Sequence, residues 1–159
     1  MKDSQKQSLI NAIENKSSKI FSNSNKEAYH LFLTTIFLNA KNEINILVSN
    51  FLSMDKLFEN NDFILINNFI KTKKLNILYF KNFENSNFIK HIDITSKNIT
   101  VKQLSTPIFN KEQLIQEFIT WDNHGYRFSP NAKKLIGIVS ANDEEFTALC
   151  NKIIKSKIK

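Results

Sequence analysis

The chain has 159 residues, is 42% hydrophobic and holds 14 phenylalanines, which excludes wholesale disorder and suits one domain burying roughly 70% of its unfolded surface. The lone Cys150 excludes an internal disulfide framework and a cysteine-based zinc site, and no apolar run approaches the ~20 residues that span a bilayer. A formal net charge of +7 suggests an acidic partner such as nucleic acid, although 21 of the 22 cations are lysine, a profile that an AT-rich genome also produces.

Met1–Gln7 lacks the apolar segment of a secretion signal, so a cytoplasmic protein is expected. Residues 5–21 carry Leu9, Ile10, Ile13, Ile20 and Phe21 as a loose helical stripe. Phe21–Asn25 breaks that pattern, and Ser24 or Asn25 can cap the next helix, with Glu27 in its first turn. That helix runs to about Lys41 through Ala28, Leu31, Phe32, Ile36 and Phe37, and is expected to be largely buried, with His30 as a packed or surface residue. Glu43–Ser49 reads as an apolar strand, about Asp62–Thr72 as a helix, and Leu75–Phe80 as a second strand of the same type. Near-continuous apolar strands separated by a helix indicate a parallel pair covered on both faces. Residues 82–92 suit a short helix, with His91 and Asp93 as a connection. Ile99–Leu104 alternates, as a strand nearer an edge does, and Pro107 ends it.

Residues 117–129 read as two short strands joined by a tight turn at Asp122-Asn123-His124-Gly125, with the glycine free to take positive φ. Leu135–Ser140 is a further apolar strand. Asn142, with Glu145 three residues on, resembles a capping box that opens a last helix, whose inner stripe includes Phe146, Leu149, Cys150, Ile153 and Ile154. The fold class is therefore α/β: a central mixed, mostly parallel sheet flanked by helices, with a C-terminal strand hairpin and a terminal helix. Residues 1–24 form an N-terminal helix or extension and residues 25–159 a single α/β domain.

The hairpin gathers the only tryptophan, the only arginine and one of three histidines within seven positions. Asp122 and His124 could work as an acid–base pair or serve turn chemistry alone. Arg127, flanked by Tyr126 and Phe128, points to the face opposite those two rings, where it could meet an anion or pair internally with Asp122 or Glu117. Trp121 is either core or a stacking surface for a base. Glycine-rich phosphate loops, HExxH, Gly-x-Ser-x-Gly and Cys-x-x-Cys are absent from the sequence, and no cofactor or metal is expected.

The order of elements over about residues 26–157 resembles one half of the phospholipase D fold. That family carries His-x-Lys-x-x-x-x-Asp on its strand pair. If Asp122 matches the family aspartate, the histidine position is Ile115 and the lysine position is Glu117. Isoleucine cannot attack phosphorus, and glutamate would repel the phosphate that lysine neutralises. Ser140-Ala-Asn142 is similar to the family's serine–asparagine segment but lies farther from Asp122 than the family pattern allows. The resemblance implies the fold without the phosphodiesterase nucleophile, and a homodimer joined across a central cleft. The chain is thus expected to be a non-catalytic binding or accessory protein of bacterial or phage origin. Its partner would be a protein or an anionic ligand such as nucleic acid, met by Arg127, Trp121 and Tyr126 with Asp122 and His124 orienting the turn. The alternatives are a phosphodiester hydrolase using His124 and Asp122, and a sequence-independent nucleic-acid binder working through lysines.

Overall fold

The computed structural model describes residues 3–105, 117–130 and 136–159. The elements are α1 (Asp3–Glu14), β1 (Ile20–Asn23), α2 (Lys26–Asn39), β2 (Glu43–Asn50), α3 (Phe51–Asp55), α4 (Asn60–Ile70), β3 (Lys74–Lys81), α5 (Phe88–His91), β4 (Ile99–Gln103), β5 (Glu117–Trp121), β6 (Gly125–Ser129), β7 (Gly137–Ser140) and α6 (Glu144–Ile158). Among the described residues seven strands form one mixed sheet in the order β1-β7-β6-β5-β2-β3-β4. The pairs β2–β3 and β3–β4 are parallel, whereas β5, β6, β7 and β1 join through antiparallel pairs. The expected mixed α/β architecture is the observed one, with β4 at an edge, the hairpin as β5–β6, and a terminal helix, although four of the six strand pairs among the described residues are antiparallel because the hairpin, β7 and β1 extend the parallel block. Pro107, Ile115 and Leu135 lie outside the described residues.

Side-chain alternation sorts the sheet into two cores. Ile44, Ile46, Leu75, Ile77, Ile119 and Trp121 pack with apolar residues of α1 to α5. Leu47, Leu78 and Phe118 point the other way, against Cys150 and Ile154 of α6. A polar ladder docks α6 onto that second face. Asn151 Oδ1 accepts from Asn45 Nδ2 at 3.0 Å and from the Thr120 hydroxyl at 2.5 Å, and Asn76 Nδ2 donates to Asn45 Oδ1 at 2.8 Å. Burying the amides of Asn45 and Asn151 beside the half-buried Asn76 is tolerable because each finds a partner. Burial holds the Cys150 thiol up at about 12, as suits an inert core cysteine.

Several boundaries differ from the sequence reading. The stripe 5–21 is not one helix. α1 stops at Glu14, and Lys16 takes a left-handed φ of 49°. The Ser17 N–H donates to Ala12 O at 2.9 Å and the Lys16 N–H to Ile13 O at 3.4 Å, a Schellman ending that turns the chain out of the helix. Ile20 and Phe21 then belong to β1, paired with β7. Asn25 does cap α2, accepting from the Ala28 N–H at 2.8 Å. The cap of α6 is Asp143 rather than Asn142, because the Asp143 carboxylate reaches the Phe146 N–H at 3.0 Å.

Candidate functional site

The turn between β5 and β6 is fixed by an acid that reaches across 80 residues of chain. Asp122 adopts φ 52°, a left-handed conformation that a short polar side chain tolerates. Its carboxylate accepts from the backbone N–H of Asn42 at 2.7 Å, of Lys41 at 3.0 Å and of Glu43 at 3.3 Å. The Asp122 N–H donates back to Glu43 O at 2.8 Å. The positive φ expected at Gly125 therefore falls on Asp122. Gly125 is needed for another reason: a Cβ there would stand 2.0 Å from Cε2 of the Trp121 indole, which lies across it.

His124 follows in the same turn. Its Nδ1 lies 2.8 Å from the carbonyl of Ala141, and since a carbonyl only accepts, Nδ1 carries the proton. In the neutral ring Nε2 is then the acceptor, 3.9 Å from Asp122 Oδ2. The His124 carbonyl accepts from the Asp143 N–H at 2.7 Å, joining the turn to the start of α6. A hollow of about 370 Å³ opens here, lined among others by Lys16, Lys41, Asn42, Trp121, Asp122, His124 and Glu144.

Three other hairpin residues lie elsewhere. Arg127 is 1% exposed on the helix-side face, with its guanidinium carbon 3.7 Å from the centre of the Tyr29 ring. Gly137 leaves room for it, since a Cβ there would stand 2.8 Å from Nη2. Glu117 belongs to the same interior cluster and accepts from the Ser49 N–H at 3.0 Å and hydroxyl at 2.7 Å. Burial pushes its carboxyl up, although Ser49 and Arg127 pull the other way. Burial likewise raises the Tyr29 phenol against the opposing pull of Arg127. Tyr126 packs on the α6 side, its ring centre 4.4 Å from that of Phe146. The structure thus brings Trp121, Asp122 and His124 to one hollow and places Tyr126 and Arg127 on opposite faces of the sheet. Trp121 is fully buried, edge-on to Phe32 at 5.6 Å. Glu117 and Asp122 stand at opposite ends of β5, roughly 17 Å apart at about 3.4 Å per residue. His30, away from this end, pairs through Nε2 with Asp62 Oδ2 at 2.8 Å.

The end of the sheet that carries the hollow also carries a row of lysines. Lys41 precedes β2, Lys74 opens β3 and Lys97 precedes β4, so parallel pairing sets the three side by side. Lys71 and Lys73 flank the row, Lys73 Nζ donating to Ala40 O at 2.5 Å. Lys155 of α6 joins from the other face, 3.6 Å from Glu43. Among the described residues nothing pairs with the ammonium groups of Lys41, Lys74 and Lys97. Among the described residues four acids, Asp55, Asp62, Glu117 and Asp122, are buried, whereas Arg127 is the one buried cation and none of the described lysines is buried, so burial leaves the described surface more basic. In the sequence this row is less conspicuous than the rare residue types of the hairpin. Its signal in the sequence is a lysine just before, or opening, each strand of a parallel block. Among the described residues no group of three or more His, Cys, Asp or Glu is placed to hold a metal ion, and no helix is long and apolar enough to cross a membrane.

The sequence matches no family model and no curated protein. Similar solved structures include TrmBL2, an archaeal chromatin protein whose structure shows a novel mode of DNA binding, at a TM-score of 0.60 and 14% identity over 98% of this chain. The chain spans 57% of that protein's length. NucT from Helicobacter pylori is similar at a TM-score of 0.53 and 15% identity, over 87% of this chain and 95% of its own. At such identities the likeness is one of fold.

Proposed function

We propose that this protein binds nucleic acid without cleaving it, on a phospholipase D-like half, through the lysine rim at the starts of β2, β3 and β4. The sorting of charge carries this reading, with four acids folded inward and the described lysines left outside. A dense row of ammonium groups attracts a polyanion by displacing its condensed counterions. The fold shared with a DNA-binding chromatin protein supports the same partner class. Within this reading Asp122 and His124 hold the turn beside the rim. Arg127, Glu117 and Tyr29 stabilise the interior, and Trp121 and Tyr126 pack. The buried Glu117, at the position that matches the lysine of the phospholipase D motif, supports the non-catalytic part.

Fluorescence anisotropy with a labelled 24-base-pair DNA duplex tests binding. Affinity is expected to fall steeply with salt, and Lys41→Glu with Lys74→Glu to weaken it at least about 10-fold while leaving Tm unchanged. No binding of this duplex or of its separated strand at low salt would overturn the proposal. Nicking of supercoiled plasmid by the wild type, lost in His124→Ala, would overturn its non-catalytic part.

A further inference from the structure

We infer that the rim takes double-stranded nucleic acid by its phosphate backbones and reads no bases; this rests on the nucleic-acid reading above. Proteins that hold single strands combine a basic groove with exposed aromatic rings on which unpaired bases stack. This chain is rich in aromatics, yet none of the described ones is exposed: each is buried or half-buried. Trp121, the best stacking ring, lies wholly within the core. The rim can therefore offer charge to a single strand but no platform for its bases.

Base reading fails for a second reason. The commonest specific contact in the major groove is Arg or Lys on guanine, for which the planar guanidinium fork matches the two acceptors best, and narrow minor grooves attract Arg, Lys and His alike. The one arginine here is interior and stacked on Tyr29. The lysines that remain are point charges, suited to phosphate oxygens rather than to paired acceptors on a base edge.

The rim's geometry then favours a duplex over a flexible strand. Adjacent strands lie about 4.8 Å apart, so Lys41, Lys74 and Lys97 start within a span of about 10 Å. The backbones of Lys41 and Lys74, and of Asn98 beside Lys97, are held in place. The Lys41 N–H donates to Asp122, the Lys74 N–H donates to Asn42 O at 2.9 Å, and Asn98 O accepts from Leu75 at 2.9 Å. A row of lysines rooted on a fixed sheet end is complementary to a fixed lattice of phosphates, their flexible stems adjusting to it. Against a mobile single strand it must first order the chain, which costs conformational entropy.

The test compares two 24-base-pair duplexes of unrelated sequence with a single strand of the same length, across about 50–200 mM salt. The duplexes are expected to bind within about 2-fold of each other and the single strand at least about 10-fold more weakly. The combined substitution Lys41→Ala, Lys74→Ala and Lys97→Ala should flatten the log–log salt slope for duplex by about 2 to 3, at about 0.9 per phosphate lost, with Tm kept. Lys56→Ala with Lys81→Ala, at the other end of the sheet, should leave the slope within about 0.5. Equal or tighter single-strand binding overturns this inference while the broader nucleic-acid reading stands. So does discrimination between the duplexes beyond about 10-fold, or an equal slope loss in the Lys56/Lys81 variant. Failure to bind any of the three ligands overturns that broader reading itself.

Discussion

Buried carboxylates hold this protein's loops by their backbones. Asp55 accepts from the N–H groups of Asn87 and Phe88 at 2.9 and 2.8 Å, Asp62 from Glu59 at 2.6 Å, and Asp122 from the chain at Lys41 to Glu43. A charged acceptor with several backbone donors is among the stronger hydrogen-bonded arrangements, and removing it strands the donors. Asp122→Ala should therefore cost about 3 kcal/mol in urea unfolding and speed amide exchange at Asn42, whereas a loss under about 1 kcal/mol would show the anchor to be dispensable. Glu117 makes the reverse prediction. Burial raises its folded pKa above the unfolded value, so the folded state keeps a proton that the unfolded chain releases. Its contribution to stability is present below the ordinary carboxylate range and is lost as pH rises through the folded value. Tm measured from about pH 4 to 8 should carry this fall in the wild type and lack it in Glu117→Gln; identical profiles would refute it. The sequence marks Asp122, His124 and Arg127 as unusual by their company. It hides what Asp122 holds, because a backbone N–H leaves no side-chain signature at residues 41–43.

At the scale of elements, caps separate what patterning fixes from what geometry fixes. Asn142 and Asp143 are both good caps, and Glu145 makes the earlier one attractive on paper. The helix begins one residue later because the carboxylate of Asp143 meets Phe146 N–H, while Asn142 turns toward Ser18. Asp143→Ala should cost about 1 kcal/mol and Asn142→Ala a few tenths at most, a contrast that thermal unfolding of the two variants checks. Equal losses would return the cap to Asn142. β1 was illegible for a related reason. Four residues, Ile20–Asn23, are too few to display a period of two, and the partner that makes them a strand lies in β7. The long apolar runs of β2 and β3 needed no partner to be recognised, since their length and β-branched content suffice.

For the whole molecule, alternation of helix and strand along residues 26–103 announces the parallel block, because a crossover helix must return the chain to the same edge. The β5–β6 hairpin is equally local. Neither local rule reaches the pairing of β2 with β5, which joins Ile46 to Ile119, or of β1 with β7, which joins Ile20 to Ser140. This last pairing bears on biosynthesis. About 120 residues separate the two partners, so during translation the first strand waits for that length of chain to emerge before it can be zipped in. Until then those four residues have no neighbouring strand to satisfy their backbone N–H and C=O groups, and water must serve instead.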